Sequence, residues 1–280
     1  MTRHPATLCL IAGLVLLSAS SEAATVDGLK IHATATGKGR TTVVFVHGYT
    51  CDDTTWSEQV PALAKQFRVV TLDLPGHGKS DTPRVDQYSM ELFARAVEAV
   101  RADVKAERIV LVGHSMGTPV ILKYANLYPG RVAGLIYVDG LMPPNPGAQS
   151  NPGAPSNPGA RMGGTNGRQN REAMVRRFFV PGTTPAVRQK VLDMMLGAPE
   201  ITAVGAMNAT QDPAGRTTDV PAVPILGIYA EPAPVASREA VLRNFPKAEF
   251  TQIAGTGHFL MLEKPAEFNA VLMKFLASLR

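Results

Sequence analysis

The run Ile109-Val110-Leu111-Val112-Gly113-His114-Ser115-Met116-Gly117 leaves this chain few folds to choose from. Its first residues are branched and apolar without alternation, the pattern of a strand buried on both faces, and such strands belong to parallel sheets covered by helices. The run then enters Gly-x-Ser-x-Gly and continues into Met116 to Tyr128, which has helical spacing. Strand, tight turn and helix in that order are the context in which a serine hydroxyl is lifted above a sheet edge. A turn that tight leaves no room for side chains two residues to either side, which is why Gly113 and Gly117 flank Ser115.

The same alternation extends along the chain. Strands are predicted near Thr42 to Val46, Arg68 to Asp73, Arg108 to Val112, Gly134 to Val138, Pro224 to Tyr229 and Ala248 to Ile253. Helices are predicted near Thr55 to Gln66, Met90 to Lys105, Met116 to Tyr128, Ser237 to Asn244 and Pro265 to Leu279. Ahead of them, Thr25 to Ala35 carries Asp27-Gly28, a hairpin turn signal, and reads as an antiparallel edge hairpin. The expected fold class is therefore α/β, a mostly parallel sheet of about eight strands flanked by helices. At 45% hydrophobic and 18% charged residues, the composition supplies a core for it.

Leu141 to Asp219 breaks the rhythm. Asn-Pro-Gly-Ala occurs at Asn145, Asn151 and Asn157, and a Pro/Gly repeat of that kind forms neither helix nor sheet, so a mobile insertion is expected to about Asn170. Beyond it, Glu172 to Val180 and Ala186 to Leu196 have helical spacing and read as a small helical cap. The expected organisation is a core of residues 24–140 and 220–280 with a cap insertion at 141–219. Residues 1–23 are set apart: Arg3 and His4, an apolar run from Leu8 to Leu17, and small residues through Ser21 and Ala23 have the layout of a secretory signal. Cleavage after Ala23 and an exported, periplasmic or secreted, location are expected. The apolar run is too short for a membrane span, and Leu8 ahead of Cys9 argues against a lipid anchor. Only Cys51 then remains, so no internal disulfide is expected.

Three further motifs join the serine turn in chain order. Val46-His47-Gly48-Tyr49 is similar to a His-Gly turn after the first central strand. Asp73-Leu74-Pro75-Gly76-His77-Gly78-Lys79-Ser80 resembles an Asp-x-Pro-Gly-x-Gly-x-Ser loop, and Gly255-Thr256-Gly257-His258-Phe259 resembles a histidine loop after the last strand. Together they make the chain resemble the α/β-hydrolase superfamily, most closely its serine esterase branch. The resemblance implies an α/β-hydrolase fold, Ser115 as nucleophile, His258 as general base, and an oxyanion hole of the Tyr49 and Met116 backbone amides. It gives the His47 turn a part in shaping the oxyanion site and Asp73 a structural part in holding turns. His77 reads as a loop-packing residue, His114 as buried in the turn, and Cys51 as a small packing residue.

The acid departs from the usual pattern of that family. The position after the penultimate strand where most members carry it is Ala233. A minority place the acid after the strand that follows the nucleophile helix, which here is Asp139. Asp139 is the assignment, with Glu231 as the alternative, since either stands at a strand end from which a carboxylate could orient His258.

The activity implied is an exported serine hydrolase that cleaves carboxylic esters or lactones through an acyl-enzyme. The substrate pocket expected from family precedent lies under the cap, with Met174, Phe178, Met194, Met195 and Met207 as its candidates. Hydrolysis of a C–C, thioester or amide bond is the alternative chemistry, and a noncatalytic binding protein on the same fold is the alternative class. The six histidines and two cysteines lack metal-ligand spacing, and no Gly-x-Gly-x-x-Gly opens a helix, so no metal or other cofactor is expected. The net charge of +5 is scattered singly, which argues against a nucleic-acid partner. The partner expected is a small ester-like molecule.

Overall fold

The computed structural model describes residues 20–140, 158–212, 219, 221–232 and 236–279. Eight strands form one sheet: β1 (Ser20–Val26), β2 (Leu29–Thr36), β3 (Thr42–Val46), β4 (Arg68–Leu72), β5 (Ile109–His114), β6 (Val132–Val138), β7 (Ile225–Pro232) and β8 (Glu249–Thr256). Their order is β1-β2-β4-β3-β5-β6-β7-β8. β1 and β2 form the edge hairpin, antiparallel to each other, and β2 is antiparallel to β4. From β4 through β3 and β5 to β8 every pairing is parallel.

Local sequence accounts for most of this. Asp27 and Gly28 both take left-handed φ angles, +50° and +81°, the backbone that a tight hairpin turn needs to match strand twist. β3 and β5 are buried at every residue, as their unbroken apolar runs require. The helices are α1 (Val60–Leu63), α2 (Met90–Asp103), α3 (Gly117–Leu127), α4 (Gly167–Arg176), α5 (Pro185–Gly197), α6 (Glu200–Gln211), α7 (Arg238–Asn244), α8 (Leu260–Glu263) and α9 (Pro265–Ser278). Ser89 caps α2 by accepting from the Leu92 N–H, and Thr184 caps α5 by accepting from the Val187 N–H.

The structure departs from the sequence expectation in three places. A single helix over Thr55 to Gln66 is replaced by a 3₁₀ turn at Asp53–Trp56 and the short α1. Pro61 has no N–H and its ring would strike the preceding turn, so it is tolerated only where a helix begins. The irregular insertion ends sooner than Asn170: a 3₁₀ turn at Pro158–Met162 leads into α4, which starts at Gly167. The Asn145 and Asn151 repeats lie outside the described residues, and so does Asn157. Third, the cap segment carries α6 as well as the helices foreseen near α4 and α5. Ala203, Ala206 and Ala209 are buried together with Thr202 and Gly205, so α6 packs without the large apolar stripe that marks an amphipathic helix.

The cap helices sit over the loops at the carboxyl ends of the strands. Tyr49 Oη donates to the Ala203 carbonyl at 2.8 Å, and Thr202 Oγ1 donates to the Gly76 carbonyl at 2.6 Å. Both contacts tie α6 to loops that follow β3 and β4, which places the cap above the crevice where open α/β sheets bind ligands. No helix among the described residues is long and apolar enough to cross a membrane.

Candidate functional site

Ser115 stands between β5 and α3 with φ at +52°, the left-handed region that a non-glycine residue enters only at a cost of roughly 1–2 kcal/mol. Neighbouring backbone holds it there. Its N–H donates to the Val138 carbonyl at 3.0 Å, and its own carbonyl accepts from Thr118 N–H at 3.0 Å and Thr118 Oγ1 at 2.7 Å. A Cβ at Gly113 would come to 2.5 Å from the Gly117 carbonyl, and one at Gly117 would strike the Val46 carbonyl of β3. Both glycines are therefore dictated by close backbone approach, as the spacing around Ser115 implied.

β6 delivers the next group. Asp139 follows its last residue, is fully buried, and has φ at +38°. Asp139 N–H donates to the Ile228 carbonyl of β7 at 2.9 Å, while Oδ1 accepts from the Ala230 N–H at 3.2 Å. The other oxygen meets His258: His258 Nδ1 donates to Asp139 Oδ2 at 2.7 Å, although the two residues are 119 positions apart in the chain. A carboxylate only accepts, so this bond puts a proton on Nδ1, and in the neutral ring it is Nε2 that carries the lone pair. Glu231 sits exposed on β7 opposite Ala254 of β8. The structure brings Asp139 to His258 and does not bring Glu231 to it.

His258 is held from several sides. Its N–H donates to the Phe178 carbonyl at 3.0 Å, and the Phe178 ring lies 4.4 Å from its ring at 32°. Its carbonyl is bonded to His114 Nε2 at 2.9 Å, and the two rings are 4.6 Å apart. Glu263 Oε2, on α8, accepts from Gly257 N–H and from Thr183 Oγ1, each at 3.0 Å, which joins the histidine loop to the segment between α4 and α5. Sequence reading named Phe178 only as a pocket candidate. Its contact with His258 was hidden because the cap and the histidine loop are far apart in sequence.

Met116 precedes α3 directly and is buried; Tyr49 is buried with its hydroxyl turned into the cap. Among the described residues, neither backbone N–H is given to a protein acceptor. The other pocket candidates are spread over the cap helices. Met194 lies against the Thr55 hydroxyl at 3.4 Å, Met195 is buried in α5, and Met174 and Met207 pack half-buried on the core.

The remaining polar groups scaffold these loops. Asp73 Oδ1 accepts from Asp53 N–H at 2.7 Å and its Oδ2 from Lys79 N–H at 2.8 Å. His47 Nε2 accepts from Leu74 N–H at 3.0 Å, so its Nδ1 donates to the Gly48 carbonyl at 2.9 Å. Burial pushes the Cys51 thiol up, out of the range where a thiolate forms, as suits a packing residue. Burial, then the neighbouring His47, hold His77 down at about 3, and burial likewise lowers His114. A histidine held neutral in the fold but free to protonate when unfolded destabilises the fold as pH drops below about 6.5. Between pH 6 and 4.5, His77→Gln should flatten the pH dependence of unfolding free energy by up to about 1.4 kcal/mol per pH unit, read from urea titrations. An unchanged slope would show that His77 is not buried neutral. No cluster of three or more His, Cys, Asp or Glu side chains fit to hold a metal is found among the described residues.

Comparison with known proteins gives a consistent picture. A family model described as "Alpha/beta hydrolase family" matches residues 43–271. The solved structure of a thermophilic esterase from Thermogutta terrifontis superposes with a TM-score of 0.81 at 27% identity, covering 94% of this chain and 99% of that one. Est816, described as an N-acyl homoserine lactone degrading enzyme, superposes with a TM-score of 0.75 at 27% identity, covering 90% and 99%. A 2-hydroxy-6-oxononadienedioate/2-hydroxy-6-oxononatrienedioate hydrolase of Paraburkholderia phymatum is 28% identical over 266 residues, 89% of this chain and 91% of its own. Uncharacterized mycobacterial proteins match at 38% identity over 96 residues, so the chain spans only 28% of their length.

Proposed function

This chain belongs to the alpha/beta hydrolase family, and we propose that within it the chain is an exported serine hydrolase of carboxylic esters or lactones. The observation that carries the reading is the 2.7 Å bond from His258 Nδ1 to buried Asp139, in a chain that also holds Ser115 in a left-handed strand-to-helix turn. A serine hydroxyl is a poor nucleophile unless a base takes its proton as it attacks.

In the proposed reaction Ser115 Oγ attacks the carbonyl carbon while its proton passes to His258 Nε2. Asp139 keeps the other ring nitrogen protonated and stabilises the imidazolium as it forms. The carbonyl oxygen becomes an oxyanion and takes hydrogen bonds from the Tyr49 and Met116 amides, the latter aided by the positive end of α3. Collapse breaks the bond to the leaving alkoxide, which receives the proton from His258, and an acyl-enzyme remains. Water, deprotonated by the same imidazole, then attacks the acyl carbon and releases the acid with Ser115 restored. Export is part of the reading: it rests on the Arg3, Leu8 to Leu17 and Ser21-x-Ala23 layout.

Similarity to a solved esterase and to a lactone-degrading enzyme supports this substrate class. The Paraburkholderia relative is named for hydrolysis of a dienedioate, so the test includes C–C cleavage. Purified protein would be treated with a fluorophosphonate, the labelled residue located by mass spectrometry, and turnover measured on short chromogenic esters, lactones and a diketone. Labelling at Ser115 with ester or lactone turnover is expected. Labelling with turnover of the diketone alone would move the assignment to C–C hydrolysis. No labelling and no turnover would make the chain a binding protein.

A further inference from the structure

Arg171 on α4 is 5% exposed, yet among the described residues its one hydrogen bond is from Nη1 to the Met162 carbonyl. Its Nε is buried with no partner among the described residues. A guanidinium keeps its charge at any pH a protein tolerates, and a buried charge without a counter-charge is strongly disfavoured. Three of the five acids of the cap segment have other partners: Glu172 pairs with Arg176, Asp193 accepts from Gln189, and Glu200 accepts from Gly164 N–H. Residues 141–157, 213–218 and 233–235 contain no Asp or Glu that could neutralise it.

The placement of this cation gives it a direction. Arg171, Met174, Val175 and Phe178 follow the spacing that puts side chains on one helical face, and the Phe178 N–H still bonds to the Val175 carbonyl. That face ends on His258, where Phe178 lies against the imidazole. The Arg171 backbone is about two turns back, roughly 10 Å along the helix, and its guanidinium is anchored on the Met162 carbonyl ahead of α4. Burial raises the pKa of the Tyr49 phenol and the Arg171 charge works against that rise; the backbone N–H of Tyr49 belongs to the proposed oxyanion hole.

We propose that Arg171 receives a carboxylate at the far end of the substrate's acyl chain, making this an enzyme for half-esters or lactones of dicarboxylic acids. The inference rests on the serine hydrolase reading above and adds the substrate's charge to it. The guanidinium fork suits a carboxylate in two-point contact, and the two-turn offset from Phe178 calls for several carbons between the ester and that carboxylate.

The test compares para-nitrophenyl hemiesters of glutaric and adipic acid with the uncharged pentanoate and hexanoate esters, on wild type, Arg171→Met and Arg171→Lys. Wild type should favour the charged esters in kcat/KM. Arg171→Met should lower that charged-to-neutral ratio on the order of 10- to 100-fold, with Arg171→Lys between. An equal fall on both ester classes would show a purely structural arginine and overturn the proposal. Should Arg171→Met fail to fold, Arg171→Lys and the wild-type ratio still decide: no wild-type preference for charge overturns it. Should no ester be hydrolysed, calorimetric titration with adipate separates the readings. Adipate binding that Arg171→Lys weakens upholds the carboxylate site while the hydrolase reading fails; no binding ends both.

Discussion

Asp139→Asn is expected to lower ester turnover by about 10⁴-fold while leaving the fold intact. The carboxamide has nearly the shape of the carboxylate, and its oxygen can still accept from the Ala230 N–H that now bonds Oδ1. Its nitrogen then faces His258 and donates to Nδ1, which pushes the ring proton onto Nε2. A protonated Nε2 cannot accept from Ser115, and the imidazolium loses its counter-charge. Glu231→Gln is the companion experiment, expected to stay near wild type because Glu231 is exposed on β7. A fully active Asp139→Asn together with an inactive Glu231→Gln would sink the assignment of Asp139.

Ser115→Ala is expected to cost roughly 10⁵- to 10⁶-fold in kcat and to abolish fluorophosphonate labelling. Stability should hardly move, because alanine meets the same left-handed strain at φ +52° and the hydrogen bonds there are backbone bonds or from Thr118. Rate loss without a shift in the urea midpoint is the signature to look for. Residual turnover within a few-fold of wild type would mean that another group forms the acyl-enzyme.

Much of this architecture was legible beforehand, for identifiable reasons. β3 and β5 are unbroken apolar runs, and the edge hairpin turns at Asp27-Gly28 where both residues take positive φ. Ser115 announced itself through Gly113 and Gly117, whose missing side chains are read directly from sequence and are required by backbone contact. α6 escaped notice because its buried residues are small, and the helix expected over Thr55 to Gln66 failed at Pro61. Arg171 belongs to no motif, although its spacing to Met174, Val175 and Phe178 places it on the apolar face of α4.

The sequence by itself determined the strand–turn–helix at Ser115, the parallel sheet and the candidate histidine, because turns, periodicity and glycine requirements act between near neighbours in the chain. It left Asp139 and Glu231 open, since each stands at the end of a strand. Only the tertiary structure shows which of them His258 meets: Ile228 and Ala230 of β7 hold Asp139 through its backbone and Oδ1, and the histidine loop returns from 119 residues away to contact Oδ2. The same holds for Phe178 on His258 and for the buried Arg171 Nε, which has no hydrogen-bond partner among the described residues. Such contacts are set by how packed layers close over one another, a global solution that no local pattern encodes.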